Sequence, residues 1–135
     1  MLSQTVEYAL RATLFVAGNH PQPCAVGDIA DAVDAPRGYL AKILSQLARA
    51  GILESSRGPG GGFRIATHPN ALMLADIVQA IDGTEERRCL LGRGRCGENP
   101  GCTAHARWAP IANEMDAFFG KTTLADLLYQ PALPH

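Results

Sequence analysis

Apolar residues recur three and four positions apart through most of this chain and alternate with polar ones in only two short stretches. Val6, Leu10, Leu14 and Ala17 trace one face of a helix over residues 3–18, with Ser3 as its N-cap and Gly18 as its stop. Ile29, Ala30 and Val33 mark the inner face of a short second helix, Val26 to Val33. A tight turn, Asp34-Ala35-Pro36, follows, because proline suits a first helical turn and cannot continue the helix before it. Leu40, Ile43, Leu44 and Leu47 then point inward from a third helix over residues 37–49, which Gly51 ends. Two alternating runs, 52–57 and 63–65, flank a glycine-rich tip at 58–62 and predict a β-hairpin. Met73 to Ile81 is a fourth helix stopped by Gly83, and residues 84–103 form a loop. A longer helix runs from about Thr103 to Phe119, where Gly120 breaks it. Residues 122–128 add a final short helix, and the tail 131–135 is expected to fray.

Composition narrows the class. With 135 residues, 47% of them apolar, the chain fits one domain with a real core and room for a small appendage. Twelve cations against thirteen anions leave a net charge of −1, so any case for nucleic-acid binding must rest on local patches. Ten of the twelve cations are arginine, the better fork for phosphates and guanine edges. The N-terminus, Met1-Leu-Ser-Gln-Thr-Val-Glu-Tyr8, carries no secretory signal pattern, and no apolar run reaches the roughly 18 residues of a membrane span. A cytoplasmic protein is therefore expected. In a reducing compartment four cysteines favour metal or redox chemistry over a disulfide framework.

The order helix, short helix, tight turn, helix, hairpin is that of a winged helix-turn-helix, whose helix after the turn lies in the DNA major groove. The fold class expected is mainly α with a small β-hairpin wing, followed by a long C-terminal dimerisation helix. Outward positions of the third helix are Arg37, Tyr39, Lys42, Gln46 and Arg49, a set with no carboxylate. The hairpin adds Arg57 and Arg64 around Gly60 and Gly61, glycines that let backbone approach a sugar–phosphate chain closely. Asp28, Asp31 and Asp34 lie on the preceding helix and its turn, so the reading face can be positive although residues 1–70 are nearly neutral. Tyr39 is ambiguous, since it could pack under the wing instead.

A second constellation is Cys89-x6-Cys96-x5-Cys102-x2-His105. Three thiolates and an imidazole on a glycine-rich stretch suit an iron–sulfur centre or tetrahedral zinc. Gly92, Gly94, Gly97 and Gly101 permit tight wrapping, and Arg87, Arg88, Arg93 and Arg95 would offset an anionic centre. His105 follows Cys102 by three, which can place both on one side of the long helix as it begins. Cys24 stands apart and reads as a small buried residue. Trp108, Ile111, Met115 and Phe118 form one stripe on the long helix, wider than a single domain face needs, and read as a dimer seam.

Leu2-Ser3, Tyr8-Ala-Leu-Arg11, Tyr39-Leu40, Arg57-Gly-Pro-Gly-Gly-Gly62, Asp76-Ile-Val-x-Ala-Ile-Asp82, the cysteine segment and Thr123-Leu-Ala-Asp126 together resemble the IscR/NsrR family of bacterial winged-helix regulators. The likeness spans nearly the whole chain. It implies a homodimer on double-stranded operator DNA, with an iron–sulfur cluster reporting on redox state, nitric oxide, iron or cluster supply. It also implies a [2Fe–2S] cluster ahead of a [4Fe–4S] one. His105 would be the fourth ligand, with Glu7 of the partner subunit as the alternative used by other members. Six residues separate Cys89 from Cys96, one more than the commonest family spacing.

Three stretches follow: 1–83 as the DNA-binding domain, 84–105 as the cysteine-rich loop, and 106–135 as the dimerisation helix and tail. Rival readings are a regulator using zinc or bare thiols, and a small iron–sulfur redox protein with no role on DNA. An enzyme is not expected. There is no nucleophile–base pair set on a strand–turn–helix and no dinucleotide fingerprint, and no Lys-Ser/Thr follows the glycines at 58–62 to make a phosphate loop.

Overall fold

The computed structural model describes residues 2–83 and 103–128. Helix α1 spans Gln4–Gly18, α2 Val26–Val33 and α3 Arg37–Arg49. Strands β1 (Leu53–Ser56) and β2 (Gly62–Ile65) form an antiparallel hairpin with Leu53 opposite Ile65 and Ser56 opposite Gly62. A short 3₁₀ turn, Pro69–Ala71, leads to α4 (Leu74–Asp82), and α5 (His105–Lys121) and α6 (Leu124–Leu128) follow. This is the winged helix-turn-helix with a long C-terminal helix that the periodicity predicts.

Local chemistry sets the boundaries. Ser3 caps α1, its hydroxyl accepting from the Val6 N–H at 3.2 Å. Gly18 is the last residue of α1, where the sequence places the stop, and the side-chain amide of Asn19 closes the helix by donating to the Phe15 carbonyl at 2.7 Å. Asp34, not a glycine, takes the left-handed conformation (φ 56°) after α2; its short polar side chain tolerates it. The Ala35 N–H reaches back to the Ala30 carbonyl at 3.0 Å and the Asp34 N–H to the Asp31 carbonyl at 3.4 Å. This compact stop sets the sharp angle between α2 and α3.

Gly120 does not break the long helix, which continues one residue further to Lys121 and passes Pro110 on the way. The core gathers Val16, Ile29, Leu40, Ile43, Leu44, Leu47, Leu72, Ile77 and Leu124, all nearly sealed from solvent. Leu124 belongs to α6, so the chain returns after α5 to finish the core that α1 began. Two antiparallel backbone bonds fix that return: the Leu74 N–H donates to Thr122 O at 2.9 Å and the Leu124 N–H to Leu72 O at 2.8 Å.

Candidate functional site

Burial of Leu40, Ile43, Leu44 and Leu47 turns the opposite side of α3 outward. Arg37, Tyr39, Lys42 and Arg49 are exposed and Gln46 is half-buried, as the sequence places them. Thr5, Tyr39, Lys42, Ser45, Gln46 and Arg49 line a groove of about 530 Å³ along this face. Tyr39 packs against α1, not under the wing. Its hydroxyl hydrogen-bonds the Thr5 hydroxyl, and its ring meets Tyr8 edge-on at 5.9 Å and 76°. Tyr8 in turn accepts from the Gln4 amide at 3.2 Å and carries the Arg11 guanidinium over its ring at 5.2 Å. The first turns of α1 thus hold one end of α3. Sequence periodicity gave no sign of Thr5, because its partner is 34 residues away.

The wing turns at Gly58-Pro59-Gly60-Gly61, with the Gly61 N–H donating to Gly58 O at 2.9 Å. Pro59 at the second position and Gly60 at the third (φ 75°) make a type II turn, which requires positive φ at that third residue. Gly62 is required for another reason. A Cβ there would collide with the Cys24 carbonyl, its carbon being only 2.6 Å away.

Cys24 runs antiparallel to Phe63, donating to its carbonyl at 2.9 Å and accepting from its N–H at 2.8 Å, so it adds a one-residue third strand to the hairpin. Its thiol is buried; burial, and then the charge of Asp28, push its pKa above the usual thiol value. That keeps it protonated and unreactive at neutral pH. Arg64 pairs with Glu54 across the strands at 3.1 Å. Arg57 is exposed at the base of the tip and makes no ion pair or hydrogen bond among the described residues. Of the two wing arginines, Arg57 is therefore the one whose charge no described carboxylate offsets.

Cys89, Cys96 and Cys102 lie outside the described residues. His105 is the first residue of α5 and is half-buried. Glu7 is exposed in the first turn of α1. Among the described residues no three potential metal ligands come together. The donor set still discriminates by its chemistry: three thiols and an imidazole accept soft or borderline metals, and not calcium or magnesium, which take oxygen ligands.

On α5, Ala112 is buried and faces inward. Ile111 and Phe118, seven residues apart, are 53% and 52% exposed, while Trp108 before them and Met115 between them are half-buried. Phe118 meets Phe119 edge-on at 5.4 Å, and Phe119 packs on the core. Two of the four members of the stripe, Ile111 and Phe118, face solvent in the single chain.

Comparison with known proteins gives a consistent picture. The Rrf2 family model, described as an iron-dependent transcriptional regulator, matches residues 2–130. A protein of Aquifex aeolicus described as an HTH-type transcriptional regulator is 35% identical over 132 residues, covering 95% of this chain and 91% of its own. The HTH-type transcriptional regulator IscR of Vibrio campbellii is 29% identical over 128 residues, 94% of this chain and 76% of IscR. Among solved structures, CymR, the global cysteine regulator of B. subtilis, matches with a TM-score of 0.79 and 24% identity over 97% of this chain and 98% of its own. IscR of T. potens matches with a TM-score of 0.73 and 21% identity over 99% and 93%. No described helix is long and apolar enough to cross a membrane.

Proposed function

The chain belongs to the Rrf2 family and is a DNA-binding transcriptional regulator, not an enzyme; on that premise we propose that it acts as a homodimer whose grip on operator DNA is set by an iron–sulfur cluster. The observation that carries the DNA half is the exposed, carboxylate-free face of α3 beside Arg57 of the wing. In this reading Lys42, Gln46 and Arg49 face the major groove, and Arg37 and Tyr39 flank its edge. Arg57 enters the adjacent minor groove, where a narrow width favours arginine. Gly60 and Gly61 bring the tip backbone close to the sugar–phosphate chain, and Arg64 contributes through its edge position beside Glu54.

Ile111 and Phe118, with Trp108 and Met115, form the seam between two copies. Two large side chains half-exposed on one helix stripe are what a partner helix would cover. A twofold dimer presents two copies of α3, so the operator is roughly palindromic with half-sites about one helical turn, or a multiple, apart.

Cys89, Cys96, Cys102 and His105 would hold the cluster, a [2Fe–2S] centre ahead of a [4Fe–4S] one, with the partner's Glu7 as the alternative fourth ligand. When bound, such a centre supplies one-electron redox chemistry and reactivity toward oxidants and nitric oxide. The three thiolates would tie down the segment between α4 and α5, and His105 would carry that constraint into the first turn of the dimer helix. Releasing the ligands changes how the two reading heads are held apart. A coupling of about 1–3 kcal/mol changes operator affinity about 5- to 150-fold.

The test is anaerobic purification, metal and acid-labile sulfide counts, and titration of a duplex selected by the protein from a randomised library. Iron and sulfide in equal amounts, with operator affinity shifted at least about fivefold in a folded Cys96→Ala dimer, are expected. Colourless, sulfide-free protein carrying zinc would move the site to structural metal. Equal affinity of the two dimers would remove the sensing role.

A further inference from the structure

Gly27 lies in the first turn of α2, in ordinary helical conformation. Nothing in its backbone calls for glycine, and glycine weakens a helix relative to alanine. What it provides is room. A Cβ placed on Gly27 would stand 2.9 Å from Cζ and 3.3 Å from Nε of Arg37, with Nη2 closer still. The guanidinium therefore lies flat on the α2 backbone at the one place where no side chain intervenes. Arg37 is the first residue of α3 and is exposed. Among the described residues it makes no hydrogen bond or ion pair, so its donors are uncommitted. In a helix-turn-helix the first helix crosses the DNA backbone while the start of the second enters the groove. A guanidinium reaching from the second helix onto the first sits where those two contacts meet, and its fork matches two oxygens of one phosphate.

We propose that Gly27 is a positioning residue for DNA binding: it seats the Arg37 guanidinium on α2 so that the fork takes one backbone phosphate per subunit at the edge of the groove that α3 reads. This rests on the reading of Arg37 as a DNA contact. A methyl at position 27 meets only the far end of a flexible side chain, so it displaces the guanidinium and leaves the helix in place.

The experiment compares wild type, Gly27→Ala, Arg37→Ala and the double variant, with fluorescence anisotropy on the duplex selected by the wild-type protein, over a series of salt concentrations. Gly27→Ala and Arg37→Ala should each weaken binding at least about tenfold, the loss of one charge-assisted bond. Each should lower the slope of log affinity against log salt by about 2 per dimer, one phosphate contact per subunit. The double variant should bind no more weakly than Arg37→Ala. Gly27→Ala should melt no lower than wild type, which a merely structural role for the glycine would not produce. Normal binding by Arg37→Ala would overturn the phosphate contact itself. A strong effect of Arg37→Ala with none from Gly27→Ala, or losses that add in the double variant, would leave the contact standing and overturn the seat.

Discussion

A methyl group at position 62 has nowhere to go, since the Cys24 carbonyl occupies the space and φ there is 153°. Gly62→Ala should lower stability by roughly 2–3 kcal/mol, from backbone strain plus the clash, read as a fall in the urea midpoint. Gly38→Ala is the control, because nothing lies within 4 Å of a Cβ in the first turn of α3; it should be neutral or slightly stabilising. If the two variants lost stability equally, the close approach of Cys24 to the wing would not be what fixes Gly62. The sequence marks 58–62 as a glycine-rich tip but cannot distinguish its members. Gly60 is demanded by the local turn, whereas Gly62 is demanded by a chain segment nearly forty residues away. The same division governs the reading face. Helical period places Lys42 and Arg49 outside. The Thr5–Tyr39 contact, the Arg64–Glu54 pair and the seat under Arg37 all depend on distant partners that no period encodes.

Helix ends divide the same way. Ser3 could be read as a cap because its signal lies within one turn of the helix it starts. Gly18 ends α1 as read, whereas Gly120 reads as a break but is followed by one more helical residue, Lys121, because packing of the neighbouring turn outweighs a glycine's weak helix propensity. Two short segments, Met73-Leu-Ala-Asp76 and Thr123-Leu-Ala-Asp126, fold alike. Asp76 accepts from the Met73 N–H at 2.9 Å, and Asp126 from the Thr123 N–H at 2.9 Å. Thr123 also returns a bond, its hydroxyl accepting from the Asp126 N–H at 3.1 Å, which completes a capping box. Four residues are too short to register as a repeat, yet both copies start helices at the two sides of one backbone bridge. Asp126→Ala and Asp76→Ala should each lower stability by about 1 kcal/mol in urea titration. No change in either would mean that the caps are replaced by water at no loss.

At the scale of the whole molecule the decisive surface is the α5 stripe. If the proposed dimer forms through it, Ile111→Asp should give a monomer in sedimentation, while the far-ultraviolet circular dichroism and the melting of the single-chain core change little, because Ile111 is half-exposed there. A variant that remains dimeric would place the seam elsewhere. Loss of the dimer should also abolish cooperative binding to a palindromic duplex, since one head makes half the phosphate contacts. A net charge of −1 gives composition no sign of DNA binding, and the proposed contact rests on the local arrangement of cations on α3 and the wing.

The bridge between Leu72–Leu74 and Thr122–Leu124 has a mechanical consequence. It anchors the Lys121 end of α5 to the same frame that carries the reading head, a few bonds from the buried Leu124. The helix is therefore a lever with one foot bolted down. Its other end begins at His105, so in the proposed reading a shift of the segment before it would turn the exposed stripe about that anchored foot instead of sliding the whole rod.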